Sequence, residues 1–294
     1  YEKRPDRALA EIRELARRHP GWPLWSLKLA EHMRDRMGLY AESAQVARRI
    51  IAAEASSPAG RDSAAALLAR LSLGESLLLD LRLDEARRAL LSAREGGAAG
   101  AAAGQRARLR LGRALELEGD RDGARAHYER AEAGPDRELR KEARAALAHP
   151  LPVEEVRARH WIAEARRARE AGHAAEAAAA YRQALRQAPR SHEAALRVAE
   201  DDLAHGRDDA ARRALDDLER VDDPEPPWVR PWSWLLRAEA FDLAGERAAA
   251  LEEYRRVLAE PHGQDELKER AADGLRRPFA PADALPPPAT SRIW

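Results

Sequence analysis

The sequence predicts an all-α fold, an array of antiparallel helix hairpins running through nearly the whole chain. Three observations predict it. Alanine, leucine, arginine and glutamate dominate the 294 residues, with 35% charged and only 5% aromatic side chains, the balance of long packed helices. One order of marks recurs along the chain: small apolar residues, a glycine, further alanines, a tyrosine or leucine, and a proline. The prolines close the alanine-rich segments instead of interrupting them, as expected where each ends a helix.

From the N-terminus, "RALAEIRELARRHP" reads as one helix with Ala8, Ile12 and Leu15 on a face and Pro20 as its stop. It stands as the second helix of a truncated unit over residues 1–22. "LKLAEHMRDRMGLYAESAQVARRII" carries Ala30, Gly38 and Tyr40, and "LSLGESLLLDLRLDEARRALLSA" carries Leu73, Gly74, Leu77, Ala86 and Leu90. "RLRLGRALELEGDRDGARAHYERAEAGP" adds Leu111, Gly112, Gly119, Ala124, Tyr128, Ala131 and Pro135. The clearest unit is "RHWIAEARRAREAGHAAEAAAAYRQALRQAP". There Trp161 and Ala165 lie a turn apart, Gly172 breaks the helix, Ala177, Tyr181, Ala184 and Leu185 share a face, and Pro189 ends it. Two more follow, marked by Ala199, Gly206, Ala211, Leu215 and Pro224, then by Trp234, Ala238, Phe241, Gly245, Ala250, Tyr254 and Pro261.

A higher-order echo is visible. "DRELRKEARAALAHPL" follows the Tyr128 hairpin and "QDELKERAADGLRRPF" follows the Tyr254 hairpin, each an extra helix closed by a proline. Residues 23–149 therefore read as three hairpins plus a linker helix, and 150–277 as three hairpins plus a capping helix. The boundary falls near His149–Pro152, as in a duplicated block. The alternative is that proline and acidic residues there merely start the next helix. Residues 56–63 and 96–104 read as loops or frayed helix ends. Residues 278–294 read as an extended Pro-rich tail, since Pro286–Pro288 cannot be helical.

The tryptophan, glycine, alanines, tyrosine and proline of residues 159–189 stand in the order and spacing of the tetratricopeptide repeat, which the chain resembles over nearly its whole length. The resemblance implies a right-handed α-α superhelix, a solenoid whose first helices line a concave groove. It also implies a non-enzymatic scaffold that binds a peptide or partner protein there. Carried over to this chain, the groove-facing positions fall on Arg106, Arg110 and Arg113 in one hairpin and on Arg159, Arg166 and Arg169 in another. Six guanidinium groups suit an acidic segment or a terminal carboxylate. Glu75, Glu200, Glu239 and Asp242 in the flanking hairpins would make the groove positive at its centre and negative towards its ends. The family's carboxylate-clamp members use asparagine beside lysine. This chain has no asparagine and only four lysines, so chaperone-tail binding of that type is not expected.

A second candidate surface is "PPWVRPWSW". Trp234 matches the repeat's own tryptophan, whereas Trp228 and Trp232 flank Pro231 as a candidate aromatic shelf for a proline-rich ligand, or for the chain's own tail. The alternative is a loop packed on its neighbour.

Other functions find little support. No phosphate loop, nucleophile elbow or zinc helix is present, so no enzyme, metal or cofactor is expected. His127 and His173 fall beside repeat positions, where a structural role is expected. The formal charge is zero and arginines alternate with glutamates, which argues against nucleic acid. Absence of cysteine rules out disulfides and thiolate chemistry without fixing a compartment. No transmembrane segment is expected. Acidic helix faces with arginines four residues on, Asp216 with Arg220 and Glu252 with Arg256, read as solvated ion pairs. End hairpins are a candidate surface for self-association. The start at Tyr1 without methionine leads to the expectation of a preceding segment. It leaves open a second function, a regulatory or sensor array of a larger protein.

Overall fold

In a computed structural model that describes residues 5–18, 22–56, 63–94 and 101–280, the described chain is fifteen α-helices with no strand. The chain divides into two compact units, Tyr1–Val156 and Arg157–Trp294. The first holds α1 (Pro5–Arg18), α2 (Pro23–Asp35), α3 (Tyr40–Ala55), α4 (Ala64–Leu79), α5 (Leu83–Arg94), α6 (Ala101–Glu118), α7 (Arg121–Glu132) and α8 (Arg137–Ala148). The division falls within the first turn of α9 (Val153–Glu170). The second unit continues with α10 (Ala174–Gln187), α11 (His192–Ala204), α12 (Asp208–Glu219), α13 (Val229–Leu243), α14 (Arg247–Ala259) and α15 (Asp265–Arg276).

Local chemistry sets the helix ends. Ser63, Asp120, Asp136 and Ser191 stand at N-caps and accept a bond from a backbone N–H of the first turn, which satisfies one of its orphan donors. The two helices of a hairpin are joined through a residue in the left-handed region. It is Gly38, Gly119, Gly172, Gly206 and Gly245 in five turns, but Leu81, at φ 60°, in the sixth. A left-handed leucine costs about 1–2 kcal/mol. Leu81 offsets it by laying its side chain against the cluster of Ala44, Leu77, Leu78, Ala86, Ala114 and Leu117.

In the first unit each helix from α1 to α8 packs on the next, and α2, α4, α6 and α8 also touch in succession. In the second unit α10 to α15 pack in the same serial way, and α11, α13 and α15 touch in succession. Consecutive helices thus pack on one another and alternate helices touch in series, an arrangement consistent with the all-α repeat fold that the recurring marks predict. Ala101–Gly104, read from the sequence as part of a loop or frayed end, instead open α6. The 57–62 and 95–100 stretches and the tail beyond Ala280, with Pro286–Pro288 and Trp294, lie outside the described residues. No helix among the described residues is long and apolar enough to cross a membrane.

Small residues carry large ones at the joints. Gly112 of α6 lies under the ring of Tyr128, so close that a methyl group there would sit 2.5 Å from a ring carbon. Tyr128 is buried, and its hydroxyl donates to Glu116 at 2.9 Å, so the ring cannot swing aside without breaking that bond. Gly112 accepts the helix penalty of glycine in exchange for this close approach. Gly112→Ala is expected to destabilise the first unit by about 1–3 kcal/mol through overpacking, despite alanine's better helix propensity. A urea denaturation series checks this, and a stabilised variant contradicts it.

Candidate functional site

The first-helix face of the first unit is built around one carboxylate. Glu75 lies on α4, a helix buried nearly all round because α2, α3, α5 and α6 enclose it. Glu75 is 5% exposed, and three guanidinium groups from the neighbouring first helices converge on it. Arg34 of α2 stands at 3.1 Å, Arg106 of α6 bonds both oxygens at 2.5 and 2.9 Å, and Arg110 of α6 reaches it at 3.3 Å. Arg110 also bonds Glu142 of α8 at 2.5 Å, and Arg34 bonds Asp35. A second centre lies further along α6. Glu116 accepts from Arg113 and from the Tyr128 hydroxyl, both at 2.9 Å, and from the backbone N–H of Leu151 at 2.6 Å. Burial pushes the Tyr128 phenol above its ordinary pKa, so it stays a donor.

The second unit repeats the plan. Glu193 of α11 is gripped by Arg166 of α9 through bonds of 2.8 and 2.6 Å. Burial alone would raise the Glu193 pKa, but Arg166, with Arg197 and Arg159 nearby, holds the carboxyl below its usual range. Glu200, on α11, meets Arg197 at 2.9 Å, Arg169 of α9 at 3.2 Å and Arg270 of α15 at 3.7 Å. Burial opposes its ionisation, yet these three cations hold it at about 2. Arg270 also bonds Glu239 of α13 at 2.7 Å. Asp242 takes the part of Glu116: it accepts from the Tyr254 hydroxyl at 3.0 Å and from the backbone N–H of Phe279 at 2.9 Å, and it pairs with Arg247.

The six arginines singled out in the sequence fall on two helices, three on α6 and three on α9. Five of them already hold carboxylates of their own unit. Arg159 is exposed and has no hydrogen-bond or ion-pair partner among the described residues. Glu75, Glu200, Glu239 and Asp242, expected as negative flanks, are instead the acids those and neighbouring arginines bind. Arg34, Arg197 and Arg270 belong to the same networks and were not anticipated. Of the three, Arg197 left a signal in the sequence, standing three residues before Glu200.

The aromatic shelf is also corrected. Trp228 is 6% exposed and Trp232 2%. Arg197 lies 5.1 and 5.2 Å from their ring centres, and Arg270 lies 5.5 Å from that of Trp232. The rings cover guanidinium groups from within instead of facing a ligand. Pro231 sits in the first turn of α13, where its missing N–H costs nothing. The expected i,i+4 pairs are replaced as well: Arg220 takes Asp217, Asp216 reaches Arg237, and Arg256 takes Glu219 and Glu253.

Charge balance separates the two faces. In the first unit Arg34, Arg106 and Arg110 meet Asp35, Glu75 and Glu142 one for one, and Arg113 meets Glu116 as Arg247 meets Asp242 in the second. In the second, Arg159, Arg166, Arg169, Arg197 and Arg270 face Glu193, Glu200 and Glu239, with Glu266 acting on Arg270 from further out. Among the described residues no group of three or more histidines and carboxylates is placed to hold a metal ion. No protein-family model and no curated protein matches the chain.

Two outcomes are expected. Glu75→Ala takes from Arg106 its carboxylate and leaves the buried Arg34 with Asp35 and Arg110 with Glu142, and should cost about 1–3 kcal/mol in urea unfolding, more than an exposed pair is worth. The depressed Glu200 pKa contributes stability that is fully present above the ordinary carboxylate value of 4.5 and is lost as pH falls from there towards 2. Urea midpoints followed by tryptophan fluorescence should therefore drop across that window, and Glu200→Gln should flatten the drop.

Proposed function

We propose that the chain is a non-catalytic binding scaffold of tetratricopeptide type, its hairpins wound into a right-handed superhelix. An acidic segment of a partner protein is held on the first-helix face of the second unit. The observation that carries this reading is the arginine excess of that face. Five guanidinium groups stand against three carboxyl groups, Glu193, Glu200 and Glu239, and Arg159 at the edge is exposed and unpaired among the described residues. The serial contact of first helix with first helix supports the array, because it leaves one side of every such helix facing away from the second-helix layer. Arg166 and Arg169 are committed to Glu193 and Glu200, so they act as a fixed positive field more than as free ligands, and Arg159 makes the direct contact.

The test is fluorescence anisotropy with a labelled Asp/Glu-rich peptide, its Asn/Gln counterpart and its Lys-rich counterpart. The acidic peptide alone should bind, with affinity that falls as salt is added. Arg159→Glu breaks no hydrogen bond or ion pair among the described residues and should weaken binding by about fivefold or more, the worth of roughly 1 kcal/mol of charge contact. Equal binding of all three peptides, or none by the acidic one, overturns the reading.

A further inference from the structure

The two units close in the same way, and the comparison between them isolates one side chain. In each, a carboxylate on the first helix of the third hairpin lies twelve residues before a buried tyrosine and accepts its hydroxyl: Glu116 with Tyr128, Asp242 with Tyr254. The same carboxylate accepts a backbone N–H from the residue after the proline that follows the closing helix, Leu151 after α8 and Phe279 after α15. Three residues before Glu116 stands Arg113, which pairs with it. Three residues before Asp242 stands Glu239. One centre therefore has its cation where the other has a second carboxyl group.

Every neighbour of Glu239 can be named. Its own helix offers Asp242 one turn on, whose charge is matched by Arg247 of α14. From α11 comes Glu200, already held by Arg169 and Arg197. From α14 comes the Tyr254 hydroxyl, given to Asp242. On α12, Asp216 and Glu219 engage Arg237, not Glu239. From α15 comes Arg270, the one guanidinium bonded to Glu239 among the described residues, shared with Glu200 and acted on by Glu266. Glu239 itself is 4% exposed. A buried carboxyl with half a cation and two acidic neighbours favours its neutral form. Burial pushes Glu239 up to about 7, with Glu200 and Asp242 adding to the rise against the pull of Arg270.

We propose that Glu239 is a proton-operated latch on α15: protonated, it lets the helix dock tightly across α13, and ionised, it loosens that docking. The latch stands independently of what binds the face. The sign follows from linkage. Between the ordinary carboxylate value of 4.5 and about 7 the closed form holds a proton that the open form releases, so closure weakens as pH rises through this range. Opening α15 removes Arg270 and admits water to Glu239, which returns it to ordinary behaviour. The first unit has no such group on α6. His127 of α7 is kept neutral by burial, with Arg130, Arg94 and Arg108 adding to the effect, and so works in the opposite direction. Glu253 of α14 is also raised by burial, but it faces Arg237 and Arg256, away from α15.

Hydrogen exchange on the full chain, corrected for intrinsic rates, tests the latch with α8 as internal control. Protection of α15 amides should fall about tenfold from pH 6 to pH 8, the ratio that linkage gives for a carboxyl moving from 4.5 to about 7 on closure, while protection of α8 should not fall. Glu239→Gln should abolish the α15 response. Constant α15 protection in the wild type, or an unchanged response in the variant, overturns the proposal. If the variant proves unfolded by circular dichroism, carbon NMR of the wild-type Glu239 carboxyl decides. A titration midpoint near 7 upholds the latch, and one at the ordinary carboxylate value overturns it.

Discussion

The structure depends on a carboxylate drawn in among the helices, buried at Glu75 and a quarter exposed at Glu200, and held by arginines that come largely from neighbouring hairpins. Glu75 in the first unit and Glu200 in the second occupy matching places on the first helix of the second hairpin, each directly after the small residue, Gly74 or Ala199, that lets its helices approach. Such a centre adds little net stability, because desolvating the ions roughly cancels their attraction. Its worth lies in the penalty for any other arrangement. Alanine-rich helix faces are smooth and similar to one another, and a hairpin that slid by a turn would still bury methyl groups. It would also strand a carboxylate or a guanidinium, which no apolar contact of that size repays.

The plan of the fold was legible in the sequence wherever a local mark sufficed. Glycines at the turns, alanines on one face and tyrosine against glycine are choices made within one hairpin, so reading along the chain finds them. Leu81 escaped because its left-handed turn is sustained by packing against residues of other helices, among them Ala44 and Ala114. The site was legible only in half. Arg106, Arg110, Arg166 and Arg169 were singled out by the resemblance to the repeat family, but their partners stand 27 to 35 residues away on other helices. Spacing cannot say whether a guanidinium turns outwards to a ligand or inwards to a carboxylate. Trp228 and Trp232 misled for the same reason: an aromatic pair beside a proline looks like a shelf until Arg197 is found against both rings.

The pairing also changes what the arginines can do. A free guanidinium cluster would bind any anion that reached it. One already bonded to Glu193 or Glu200 presents a field with its donors largely spent, so a ligand must bring charge without demanding bidentate geometry from those residues. Under the proposed function, that favours an extended acidic segment, with several carboxylates spread along the face, over a single terminal carboxylate. On the proposed reading, discrimination falls to the exposed Arg159, which has no ion-paired acid to release among the described residues.

The closing helices of the two units carry opposite charges at matching places. Glu142 is the sixth residue of α8 and Arg270 the sixth of α15, and each bridges to the first helix of the hairpin before it. The signs are reversed. In the first unit the closing helix brings the acid to Arg110, and in the second it brings the base to Glu239. That exchange leaves the second unit with a buried carboxyl at Glu239 whose bonded guanidinium among the described residues is Arg270 alone, a group shared with Glu200. On the proposed latch, sensitivity to protons arises there from this exchange of charge.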